Sequence, residues 1–171
     1  MRRGLLVTVA LLASATTVRA QAPAEGESRE ILARAFLPMT QLYVDVEFVG
    51  SAEALGLSQD SIAARAREHL QATLPELAVR TGTILIRPGF EEQEPMLDTG
   101  QIRLRVWTVG EENPIAYHVA IHAGPILALR LYESQVLGYS GRNRFPADLD
   151  GVIEGLVREF ATTFMSVRGE L

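Results

Sequence analysis

The chain has 171 residues, no cysteine, and sixteen basic residues against twenty-one acidic ones. Every basic residue is arginine, so no lysine is present for Schiff-base or phosphate-loop chemistry. Without cysteine there is no disulfide framework, no thiolate metal site, no thiol nucleophile and no lipid-bearing cysteine behind an export signal.

Met1-Arg2-Arg3-Gly4 is a short basic start, Leu5 to Ala13 is an uncharged apolar run, and Val18-Arg19-Ala20 offers small residues ahead of Gln21. That is the layout of a secretory signal peptide, with cleavage expected after Ala20. The apolar run falls short of the ~20 residues a spanning helix needs, so no transmembrane segment is expected after cleavage. Arg2-Arg3 lies in a poor context for a twin-arginine signal, which favours the ordinary route to the periplasm or the exterior. Removing the first twenty residues leaves 151, a single-domain length. It also removes Arg2, Arg3 and Arg19, leaving thirteen arginines against twenty-one acids, a net charge of −8. Such a balance argues against non-specific binding to nucleic acid or to an anionic membrane.

Residues 21–38 read as a flexible leader: Gln21 to Ser28 is rich in Ala, Pro, Glu and Gly, while Arg29 to Phe36 offers a helical turn or two, with Ile31, Leu32, Ala35 and Phe36 on one side, before Pro38 stops it. Residues 39–171 read as one α+β domain. Leu42 to Val49 alternates as a half-buried strand, with Leu42, Val44, Val46 and Phe48 on one side and Tyr43, Asp45 and Glu47 on the other. Ser58 caps a helix whose stripe is Ile62, Ala66, Leu70, Leu74 and Leu77, and Leu57 and Ile62 stand at the positions of a hydrophobic staple. Thr83 to Arg87 reads as a short strand, and Phe90 to Gly100 as an acidic loop.

Gln101 to Val109 and Ile115 to Ile121 read as a hairpin around Gly110-Glu111-Glu112-Asn113. Ile102, Leu104, Val106 and Thr108 face the core from the first arm, and Ile115, Tyr117, Val119 and Ile121 from the second. Arg103, Arg105 and Trp107, then His118 and His122, take the opposite side. Leu127 to Leu131 reads as a continuation beyond a bulge, and Gln135 to Ser140 as a further strand. Asp148 caps the last helix, with Leu149, Val152, Ile153, Leu156, Phe160, Phe164 and Val167 on one face and Gly169 at its end. The expected fold is an α+β two-layer sandwich: a four- or five-stranded antiparallel sheet with two helices packed on one face and the other face open.

No residue pattern specifies catalysis or a cofactor. His118 and His122 lie four apart on a strand, about 13–14 Å between Cα atoms, too far to share one ion. Glu91, Glu92, Glu94 and Asp98 fit no calcium-loop spacing and read as a solvated acidic loop, a weak calcium site being the alternative. Gly138-Tyr139-Ser140-Gly141 is not a nucleophile elbow. Asp45 and Glu47 are the one carboxylate pair a hydrolase would use. If their strand lies beside the Gln101 strand, however, they face Arg103 and Arg105, with Trp107, Tyr43 and His118 among them. Trp and Arg are the types most enriched at interaction hot spots. These residues are the expected partner-binding surface for an unknown protein or envelope component. The competing expectations are that Trp107 merely covers its neighbours or is capped by Arg29–Phe36, or that a small ligand sits between sheet and helices.

Leu55-Gly56-Leu57-Ser58, the helix Gln59 to Thr73, the strand Ile102 to Val109, the return strand and the helix Leu149 to Met165 together resemble a family of small uncharacterised bacterial exported α+β proteins. In outline the order is also similar to small envelope-assembly accessory proteins, in which two helices pack on one sheet. Those are usually anchored through a lipidated cysteine, which this chain lacks. The resemblance implies a fold and an exported location, and no residue role.

Overall fold

The computed structural model describes residues 25–84, 98–126 and 130–169. The expected signal peptide, Glu91, Glu92 and Glu94 of the acidic loop, residues 85–87 and most of 127–131 lie outside the described residues. The elements run α1 (Glu25–Phe36), β1 (Gln41–Gly50), α2 (Gln59–Thr73), β2 (Ala78–Thr81), β3 (Thr99–Val109), β4 (Ile115–Pro125), β5 (Tyr132–Ser140) and α3 (Phe145–Arg168).

Alternation in β1, β3 and β4 buries one side of each strand. Leu42, Val44, Val46, Ile102, Leu104, Val106, Ile115, Val119 and Ile121 form the sheet's contribution to a single core. α2 adds Ile62, Ala66 and Leu70, and α3 adds Leu149, Ile153, Leu156, Phe160 and Phe164. α2 lies over β1 and β2, and α3 over β4 and β5. Ser58 caps α2 as expected, its Oγ accepting from the Ser61 amide. Gly169, at φ 75°, ends α3.

The fold is α+β, but the sheet is mixed rather than antiparallel. Its order is β2-β1-β3-β4-β5. β1 runs parallel to both neighbours, while β3, β4 and β5 are antiparallel. Strand β2 accounts for part of the difference. It lies at Ala78–Thr81, ahead of the expected Thr83–Arg87 strand, and buries only Val79. α2 carries the chain from the end of β1 back to the start of β2, so the two strands run the same way. Thr83 and Ile84 are not in a strand.

Three described helices, not two, lie on the core side. The expected leader contains α1, and Phe36 is wholly buried, its ring 5.9 Å from Phe160 and 5.3 Å from Phe164. The Arg168 guanidinium donates to the carbonyls of Phe36, Leu37 and Met39 and so ties the end of α3 to the α1–β1 link. α1 therefore sits against α3 and does not cap Trp107. α3 also starts earlier than expected, at Phe145, with Pro146 in its first turn. Asp148 lies inside that turn rather than capping it, and accepts from Ser140 Oγ at 2.6 Å.

Candidate functional site: the uncovered face of the sheet

Residues facing away from the helices form a grid set by the strand register. One row carries Asp45, Arg103, His122 and Glu133, and the next carries Glu47, Arg105, Ala120 and Gln135. A third carries Val49, Trp107, His118 and Leu137, and the last Val109, Ala116 and Tyr139. The face thus changes from charged to apolar along its strands.

In the charged rows each acid has its own arginine, as expected for adjacent β1 and β3. Arg103 Nε donates to Asp45 Oδ2 at 3.0 Å, and Thr83 Oγ1 donates to Asp45 Oδ1 at 2.9 Å. Arg105 Nη2 donates to Glu47 Oε1 at 2.9 Å. The carboxylates a hydrolase would need are thus occupied by these cations. His122 is 8% exposed and lies 3.5 Å from Glu133. His118 Nε2 lies 2.8 Å from Gln135 Oε1, a hydrogen-bonding distance. The two histidines thus have separate partners, and no metal-holding group of three ligand-type side chains occurs among the described residues. Asp98 accepts from the hydroxyls of Thr40 and Thr99.

Trp107 joins the two halves. Its ring stacks on His118 at 5.6 Å, and the Arg105 guanidinium lies 4.8 Å from its centre. Arg105 is held by Glu47 on one side and by the indole on the other, which fixes a cation on an aromatic surface. Even so, Trp107 remains 38% exposed. Beyond it Leu137, Tyr139 and Val109 are 53%, 67% and 72% exposed. Tyr43 does not join this cluster. It pairs with Gln101, six residues from Trp107 on β3, or roughly 20 Å at the strand rise.

The sequence reading missed Val109, Leu137 and Tyr139. Gln135–Ser140 reads from sequence only as a further strand, and no core-facing run marks which of its sides is buried. A cleft of about 380 Å³ is lined by Ile62, Arg65, His69, Asp150, Ile153 and Glu154. It opens between α2 and α3 on the side away from the sheet, whereas the expected ligand pocket would lie between sheet and helices. No described helix is long and apolar enough to cross a membrane.

No family model matches the sequence, and no curated protein matches it. Among solved structures, a variant PelC dodecamer from Paraburkholderia phytofirmans is 10% identical, with a TM-score of 0.48 over 85% of this chain and 96% of that one. PelC from the same organism in a second crystal form is 13% identical, with a TM-score of 0.44 over 72% of this chain and 88% of that one. An uncharacterised protein is 8% identical, with a TM-score of 0.37 over 78% and 92%. At such distances none of them assigns a role to a residue here.

Proposed function

We propose that this chain is an exported, periplasmic, non-enzymatic module that binds a protein or envelope component through the uncovered sheet face. The observation that carries the reading is the exposure of Trp107 and Val109 on β3 and of Leu137 and Tyr139 on β5, flanking His118 and Ala116, next to the ordered arginine–carboxylate rows. Exposed aromatic and aliphatic groups rimmed by polar ones mark interaction surfaces. The Arg105–Trp107 stack supplies a rigid anchor that loses little freedom on binding. Arg103, Asp45, Glu47 and His118 form the polar side of the same surface, and Tyr43 its distal margin. The basic, apolar and small-residue order of residues 1–20 supports export.

A photo-crosslinking residue at Val109, beside an intact Trp107, tests this in the periplasm of the native host, with a control probe at Glu68 on α2. A discrete adduct from position 109 that Trp107→Ala removes, with folding unchanged, supports the reading. Equal labelling from both positions, or an adduct indifferent to Trp107→Ala, refutes it.

A further inference from the structure

The two edges of the sheet are built differently. β2 is four residues long and carries Arg80. Gln71 covers it: its Oε1 accepts from the Val79 amide, and its Nε2 donates to the Leu77 carbonyl. A short, charged edge bonded by a side chain is protected against pairing.

The β5 edge lacks these devices beyond a single charge, Glu133, near its start. It is nine residues long, and Ser134 to Ser140 contains no charge and no proline. Among the described residues no backbone hydrogen bond reaches its outer side; its ladder partner is β4 alone. Leu137 and Tyr139 stand exposed along it. A long, neutral, apolar edge is a template for another strand.

We propose that β5 pairs antiparallel with β5 of a second copy of this chain, joining two five-stranded sheets into one. A second copy fits better than a foreign strand because the edge is complementary to itself. With Gly138 opposite its own copy, Leu137 lies across from Tyr139 of the second copy, and Tyr139 across from its Leu137. Aromatic–aliphatic pairs of this kind stabilise adjacent strands. The one charge in β5, Glu133, then lies beyond the paired region and meets no like charge. The net charge of −8 expected after processing disfavours contact between copies elsewhere, which leaves a neutral edge as the place where two can meet. The two-fold axis stands perpendicular to the sheet, so both uncovered faces point the same way and both Trp107 clusters share one continuous surface. A strand edge is small beside a standard interface of about 1,600 Å², so the dimer is weak and concentration-dependent.

Sedimentation of the processed chain across a concentration series, with the double variant Leu137→Lys/Tyr139→Lys alongside, tests the proposal. The expected result is a monomer–dimer equilibrium weakened at least about tenfold by the lysines, with circular dichroism and thermal midpoint retained. Register is read separately with Leu137→Cys/Tyr139→Cys. The natural chain has no cysteine, so an interchain disulfide forming faster than in Glu68→Cys locates the contact. A monomer at every concentration, a dimer indifferent to the lysines, or crosslinking no faster than in the control overturns it. The two ideas fail separately: Val109 on β3 lies three strand spacings, roughly 14 Å, from the β5 of a second copy, so an adduct from position 109 reports a partner on the sheet face, whereas sedimentation and the cysteine variant report pairing at the edge.

Discussion

Phe36→Ala decides whether the first described helix belongs to the folded body. A flexible leader would not register the loss of one ring. Here the Phe36 ring is fully buried and packs against Phe160 and Phe164, both themselves buried on the far side of the sequence. Truncating a buried phenylalanine costs about 3–5 kcal/mol, from lost transfer energy and the cavity left behind. For a chain of this length each kcal/mol lowers the thermal midpoint by about 2–4 °C, so a fall of roughly 6–20 °C is expected. Urea unfolding of the chain freed of residues 1–20 reads the same quantity as a lower midpoint with an unchanged slope. Leu37→Ala, next in sequence but 54% exposed, is the control and is expected to stay within about 0.5 kcal/mol. If both substitutions have the same small effect, α1 is not docked and the argument from Phe36 is wrong.

Three other outcomes follow from the geometry. Gly50 has φ 89°, and a Cβ there would lie 2.0 Å from the Thr108 carbonyl oxygen, so Gly50→Ala should lower stability by at least about 2 kcal/mol in chemical denaturation, whereas Gly56→Ala, with open space around it, should cost only its backbone strain of about 1 kcal/mol. A double-mutant cycle on Asp45→Asn and Arg103→Gln should give a coupling of about 0.5–1 kcal/mol that shrinks in salt; a coupling of zero at low salt would show that the ion pair orders the surface without stabilising it. Burial, and then the nearby Glu159 carboxylate, push the Tyr132 phenol well above its ordinary value, and burial with Asp148 raises Tyr117. A raised phenol favours the neutral form in the fold, so this contribution is complete below pH ~10 and is lost as pH rises beyond it. Ultraviolet titration should therefore show Tyr117 and Tyr132 ionising above the ordinary tyrosine range. Tyr132→Phe should flatten the alkaline loss of stability at little cost at neutral pH, because its hydroxyl, near Ser134 and Thr163, makes no hydrogen bond of full geometry.

Much of this fold is legible in local pattern. Alternation in Leu42–Val49 and Gln101–Val109 fixes which side chains are buried, and the charges on the other side correctly pair Asp45 with Arg103 and Glu47 with Arg105. Ser58 and Gly169 mark helix ends because capping is local chemistry. Strand direction is not local. A period of two looks the same in parallel and antiparallel strands, so β1 gives no sign that both its neighbours run with it. β2 is too short to alternate, with one buried residue in four. α1 is legible only in part: Arg29 to Phe36 shows a turn or two with one apolar side, but its docking rests on Phe36 meeting rings more than 120 residues away. The candidate surface is legible where charge marks it, at Arg103 and Arg105. It is not legible at Val109, Leu137 and Tyr139, because apolar residues at a strand's end or edge read as core until the sheet order is known.

The contact between the first and last described helices also orders events in time. Phe36 has no ring to pack on, and the carbonyls of Phe36, Leu37 and Met39 have no guanidinium to receive, until Phe160, Phe164 and Arg168 have left the ribosome. β1 to β5 can assemble beforehand, but the hydrophobic layer stays open at one end. A chain emerging residue by residue therefore closes last where it began first. Its early helix remains available to holding factors throughout synthesis and is withdrawn from them in a single late step.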